Sequence, residues 1–242
     1  MALWRFGSGW SEERMKRYLG ELRTRSVSFT EAPENMTSEN GWTVDGAEKV
    51  LGRETAGPPE PDGLFARARQ GVINFDFSDP AIVEGHFDPG RPLVGREMLL
   101  EIKCLGFRFL SGARVYGVRD EVGAAGTVFG FRYDTLEGHI ERGYEWFLLT
   151  KDHQSGEVRF RIEAHWRLGD FPNWWSALGF KLVGERYREA WRHRAPERLR
   201  RVALKPKVAP LPPPGELAHR GDPSPTRSDP SGTPAAAPPA QR

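Results

Sequence analysis

Between Glu157 and His165 the chain alternates without a break. Val158, Phe160, Ile162, Ala164 and Trp166 interleave with Glu157, Arg159, Arg161, Glu163 and His165. A period of two puts every apolar residue on one side of an extended strand and every charged one on the other. A helix would scatter both sets around its circumference. The same period recurs in Thr127, Phe129, Phe131 and Tyr133, in Tyr144, Trp146 and Leu148, and in Met98, Leu100 and Ile102, with a fifth strand expected over Ala113 to Val118. Gly123, Gly126, Gly138 and Gly156 mark short turns between the runs, so neighbouring strands pair antiparallel. A sheet with one dry face needs a cover.

The cover is predicted near the C-terminal end. A long helix is expected from Pro172 to Ala195, with Trp175, Leu178, Leu182, Tyr187 and Trp191 as its apolar stripe and Pro196 ending or kinking it. A shorter helix follows Ser11, whose hydroxyl can cap it, with Met15, Tyr18, Leu19 and Leu22 at helical spacing. Thr30 to Gly63 reads as loop with a short strand at Trp42 to Val44, and Leu64 to Asn74 as helix. The fold class is therefore α+β: a curved antiparallel sheet covered by a long C-terminal helix, helix-grip-like in its order of elements.

Composition excludes several functions. Thirty-five Lys and Arg stand against 33 Asp and Glu, a net charge of +2, which suits neither a histone-type nucleic-acid binder nor an acidic solvating protein. A single cysteine, Cys104, forms no disulfide framework and no multi-cysteine metal cluster. The N-terminus has no apolar secretory core, and no stretch approaches the roughly 20 apolar residues that span a bilayer. A soluble, cytoplasmic protein without a membrane span is the expectation. Residues 206–242 hold 11 of the 20 prolines and no aromatic residue, too little apolar surface for a packed core, so a disordered tail is expected.

Three stretches resemble the DUF1990 (UPF0548-type) family of uncharacterised bacterial and plant proteins. They are Phe65-Ala-Arg-Ala-Arg69, Pro92-Leu-Val-Gly-Arg-Glu-Met-Leu-Leu100 and Phe131-Arg-Tyr-Asp-Thr-Leu-Glu-Gly-His-Ile-Glu-Arg-Gly143. The third resembles the family signature Tyr-Gly-Thr-Leu-x-Gly-His-x-Glu-x-Gly, with Asp134 where glycine is usual and an altered turn expected there. The resemblance runs from about Val50 to Arg200 and leaves the N-terminal helix and the tail uncovered; the expected organisation is residues 1–40 as an N-terminal helix and loop, 41–205 as the family-like α+β domain and 206–242 as the tail. The resemblance implies no activity. Through the analogy to helix-grip proteins it points to an apolar small molecule held between sheet and helix.

The chemistry-bearing residues leave three readings open. Tyr133, Phe129, Phe131, Trp146 and Trp166 could line a pocket for an apolar or aromatic ligand, or simply fill a core. His139 and Glu141, two apart in an extended segment, are candidate catalytic residues of an acid–base enzyme. The segment Lys181 to Lys207, with ten basic and three acidic residues, could meet an anionic surface or nucleic acid, though Arg188 to Arg201 are expected to lie in water as the solvated face of a helix. Glu163 and His165 share the spacing of His139 and Glu141 but belong to the wet face of their strand, so no metal site is expected. No cofactor motif is present, specific nucleic-acid recognition is not expected, and the oligomeric state is left open. Cys104 is expected to be a buried, inert thiol.

Overall fold

The computed structural model describes residues 3–169 and 174–205. The helix start expected at Pro172, the side chains of Trp175, Leu178 and Leu182, and the tail from Pro206 lie outside the described residues. Eight strands form one antiparallel sheet: β1 (Leu3–Phe6), β2 (Thr43–Arg53), β3 (Val83–His86), β4 (Glu97–Cys104), β5 (Phe107–Val122), β6 (Gly126–Thr135), β7 (Glu141–Asp152) and β8 (Glu157–Leu168). Their order is β2-β8-β7-β6-β5-β4-β3, and β1 adds to the first residues of β5. Three helices accompany it: α1 (Glu12–Glu21), α2 (Leu64–Ile73) and α3 (Trp174–Leu204). The sheet curls around α2 and α3, the arrangement of a helix grip. Ser11 caps α1 as its spacing predicts, its Oγ accepting from the Arg14 amide at 3.4 Å.

The alternation of β8 and β6 is realised on the concave face. Val158, Phe160, Ile162, Phe129 and Phe131 are buried in the main core with Phe77, Phe147, Leu149, Trp191 and Leu199. β7 departs from expectation. Its concave face carries Glu145, Phe147 and Leu149, whereas Tyr144 and Trp146 lie on the convex face in a separate cluster with Met36, Trp42 and Phe29. Both sides of this strand are covered, so its sequence shows no simple period. The reading of Tyr144, Trp146 and Leu148 as a core-facing set is corrected accordingly.

Two further boundaries differ. The short strand at Trp42 to Val44 is in fact an 11-residue edge strand. Its concave positions are Asp45, Ala47, Lys49 and Leu51, and two of them are polar because α3 supplies partners: Arg192 pairs with Asp45 at 2.7 Å, and Glu197 with Lys49. Helix α3 also runs through Pro196 instead of ending there. The backbone bond lost at proline is offset by burial of Ala195, Leu199 and Ala203, by Arg198 Nε donating to the Asp76 carbonyl at 2.8 Å and by Arg200 Nε donating to the Leu51 carbonyl at 3.1 Å. The expectation of arginines in water is met by Arg194, Arg200 and Arg201, which are exposed, and corrected for Arg188 and Arg192. Arg188 and Arg192 are largely buried against acids of the sheet, and Arg194 reaches Asp79 at 2.9 Å.

Residues before position 40 pack on the convex face. Tyr18 and Leu22 join Leu99, Leu110 and Leu136 in a second apolar cluster. A Cβ at Gly112 would lie 2.5 Å from the Leu22 side chain, so the glycine sets how closely this segment approaches β5. Asp134 falls within β6, not at a turn, and its carboxylate takes two hydrogen bonds from Arg132 at 2.8 and 3.1 Å. Among the described residues no helix is long and apolar enough to cross a membrane.

Candidate functional site

The concave face and α3 do not close completely on each other. A cavity of about 80 Å³ lies between them. Its apolar wall includes Ile82, Val83, Leu100, Ile102, Ala164 and Trp191, and its polar groups include Lys103, Tyr133, His139, Glu141, Glu145 and Arg188. Strand period explains most of this. Tyr133 and Glu145 are direct cross-strand partners, as are Glu145 and Ala164, so one row across β6, β7 and β8 presents a phenol, a carboxyl and a methyl to the helix. The turn after β6 brings His139 to the same end.

Gly143 shapes this end of the wall. Its φ is +146° and a Cβ there would lie 1.9 Å from the His165 carbonyl oxygen. Only glycine meets both conditions. The close approach lets the Gly143 amide donate to Thr135 Oγ1 at 2.8 Å while the same hydroxyl donates to the Gly143 carbonyl at 3.0 Å.

The buried polar groups have distinct states. His139 is 3% exposed; its Nδ1 accepts from the Glu141 amide at 2.9 Å and its Nε2 has no partner. Burial first, and the Arg188 charge second, push its pKa down to about 3, so the ring is neutral at pH 7. Tyr133 donates to Glu145 Oε2 at 2.6 Å. Burial raises the Glu145 carboxyl to about 7 against the hydrogen bond from Tyr133, which lowers it, and burial holds the Tyr133 phenol well above its ordinary value. Arg188 pairs with Glu141 and lies over the Trp166 ring, 3.3 Å from its centroid. Burial lowers even this guanidinium to about 10. Cys104 is buried, and burial raises its thiol.

The five aromatic residues singled out in the sequence therefore divide. Tyr133 and Trp166 line the cavity. Phe129 and Phe131 fill the core further along β6, where Phe131 packs at 5.1 Å on Phe147 and Arg69 lies 4.4 Å over Phe129. Trp146 lies on the convex face, away from the cavity. His139 and Glu141 both line it, but they meet through the Glu141 amide, and the Glu141 carboxylate is engaged by Arg188. They do not form an imidazole–carboxylate couple. Glu163 and His165 lie on the convex face, where His165 stacks on Tyr144 at 4.7 Å.

Two participants escaped the sequence reading, Glu145 and Arg188. Glu145 shares the period of Phe147 and Leu149, which places it inward. Arg188 stands three residues before Trp191 on α3 and so shares its face. Among the described residues one group of metal-ligand type converges elsewhere: Glu84, His86 and Glu101, with donor atoms within 4.8 Å of one another. Lys103 already binds Glu84 at 2.6 Å and Glu101 at 3.3 Å, and Arg108 binds Glu101 at 3.0 Å.

The chain is 28% identical over 171 residues to a UPF0548 protein of Deinococcus radiodurans, covering 65% of this chain and 82% of that protein. Among solved structures it is similar to Ara h 8.0201, with 13% identity, a TM-score of 0.37 and coverage of 67% of this chain and 99% of that one. It is similar also to the hypothetical protein jhp0584 from Helicobacter pylori, with 14% identity, a TM-score of 0.37 and coverage of 71% and 96%. A third is norcoclaurine synthase from Thalictrum flavum, with 10% identity, a TM-score of 0.36 and coverage of 76% and 99%. The family model described as a domain of unknown function, DUF1990, matches residues 24–197. The chain belongs to the DUF1990 family.

Proposed function

We propose that this protein binds a small, largely apolar molecule between the concave face of its sheet and α3. The observation that carries the reading is the cavity itself, with a mostly apolar wall and a few polar side chains fixed by their own partners. Its volume of about 80 Å³ is roughly half that of an engineered apolar cavity of about 150 Å³ that holds benzene. The ligand is therefore a compact molecule or one end of a larger one. Ala164→Leu tests this, because a larger side chain at the β8 wall fills the space. Binding of small cyclic hydrocarbons, followed by the indole N–H NMR signals of Trp166 and Trp191, should weaken at least tenfold in the variant while stability changes little. Unchanged binding would place the ligand elsewhere.

A second reading, acid–base chemistry on the bound molecule, is favoured by one observation. The Glu145 carboxyl lines the cavity with a pKa near neutrality, about 7, where a proton acceptor is most effective. Glu145 thereby takes the part expected of His139 and Glu141. In deuterium oxide, solvent deuterium should enter the bound molecule in the native protein and not in Glu145→Gln. Equal incorporation in both would rule this reading out.

A further inference from the structure

The ligand's polar chemistry follows from His139, given the binding reading above, on which this inference rests. A ring nitrogen that accepts a hydrogen bond carries no proton, and Nδ1 accepts from the Glu141 amide at 2.9 Å. A neutral imidazole has one ring proton, so it resides on Nε2. Among the described residues that N–H is buried without an acceptor, on a side chain that lines the cavity and is 3% exposed. A buried donor left unmatched is costly and rare.

Most of the remaining polar side chains of the wall are engaged with neighbours, and Tyr187 Oη, on a half-buried side chain, accepts from the Leu105 amide at 3.4 Å. Tyr133 donates to Glu145 at 2.6 Å, Lys103 donates to Glu84 at 2.6 Å and to the Pro80 carbonyl at 2.8 Å, Arg188 pairs with Glu141, and Thr135 is held by Gly143. Both basic side chains of the wall have acidic partners, so an incoming molecule need bring no charge. We infer that the ligand is an uncharged, apolar molecule carrying one acceptor oxygen, of carbonyl or ether type, which receives a hydrogen bond from His139 Nε2–H. A hydrocarbon would leave this donor unmatched, and a carboxylate would bring a charge for which the wall has no free cation.

The test uses the full chain and two molecules of nearly the same shape, cyclopentanone and methylenecyclopentane, titrated while the indole N–H signals of Trp166 and Trp191 are followed by NMR. The ketone should bind about tenfold more tightly, the usual scale for a buried hydrogen bond. The preference should vanish in His139→Asn, whose side-chain oxygen can still accept from the Glu141 amide, and should be largely kept in His139→Gln, whose amide reaches the Nε2 position as a donor. Ring ¹⁵N signals should show the Nε2–H tautomer of His139 from pH 5 to 8. Equal affinities in the native protein, or a proton on Nδ1, would overturn the inference and leave the binding reading standing. Failure of both molecules to bind would overturn the inference and the binding reading together.

Discussion

Trp191→Ala should lower stability to urea by about 3–5 kcal/mol, the usual cost of truncating a large buried aromatic residue. Trp191 is 6% exposed and packs edge-on against Phe77 and Phe147, with centroids 6.3 and 6.4 Å apart. Its indole N–H donates to Ser78 Oγ at 2.9 Å. The loss of that bond leaves no orphan, because the Ser78 hydroxyl itself donates to the Val83 carbonyl at 2.6 Å. The cost is therefore one of packing and of the enlarged space beside the existing cavity. Benzene should then raise the unfolding midpoint of the variant more than that of the native protein, since a ligand that binds only the folded state stabilises it. A loss below about 1 kcal/mol, the scale of surface substitutions, would mean that α3 does not hold the sheet through this residue.

The second large effect is on the pH dependence of stability. His139 has a folded pKa near 3, below its ordinary 6.5, so its contribution is fully present above pH 6.5 and is lost as pH falls through 3. At one pKa unit to about 1.4 kcal/mol, the upper bound is about 5 kcal/mol. Glu145 has the opposite sign. Its pKa rises from 4.5 to about 7, so its contribution is fully present below pH 4.5 and is lost as pH rises through 7, with an upper bound of about 3.5 kcal/mol. Between pH 4.5 and 6.5 the two slopes oppose each other, and the native protein should show a plateau there. His139→Asn should lose the plateau and become less stable from pH 4.5 to 7, whereas Glu145→Gln should gain stability steadily from pH 3 to 6.5. Urea midpoints of the three proteins across this range decide the matter, because the other carboxylates titrate alike in all three. Parallel profiles of the native protein and His139→Asn from pH 3 to 7 would show an ordinary, solvated histidine, whose pKa is the same folded and unfolded.

How far the fold can be read from the residues varies with what covers each element. β8 and β6 have one buried and one polar face, so their period of two is written plainly in Val158 to Trp166 and Thr127 to Tyr133. β7 is covered on both sides, by the core and by the segment carrying Met36 and Trp42, so Tyr144 and Trp146 read as its inner face although they lie on the convex one. That same error hid Glu145. The sequence pattern shows only the start of β2, at Trp42 to Val44, because its concave positions include Asp45 and Lys49, whose partners on α3 lie over a hundred residues away in the chain. Local pattern contains no trace of such pairs. The end of α3 was set too early because Pro196 breaks helices on average, while burial of Leu199 and Ala203 holds this one together. Of the candidate site, Tyr133, Trp166, His139 and Glu141 were legible, the first two from period and the last two from spacing. The roles of His139 and Glu141 were not, because they depend on which nitrogen the Glu141 amide occupies and on Arg188, which reaches Glu141 from α3.

The account rests on α3 and the sheet enclosing a site for a small uncharged molecule. Native mass spectrometry of the full-length protein, purified without any denaturing step, tests this most directly. A single added mass, retained under gentle ionisation, released on denaturation and absent from Ala164→Leu, is the predicted result. Only the bare chain mass, with no added mass after incubation with cyclopentanone or with small cyclic hydrocarbons, would contradict it.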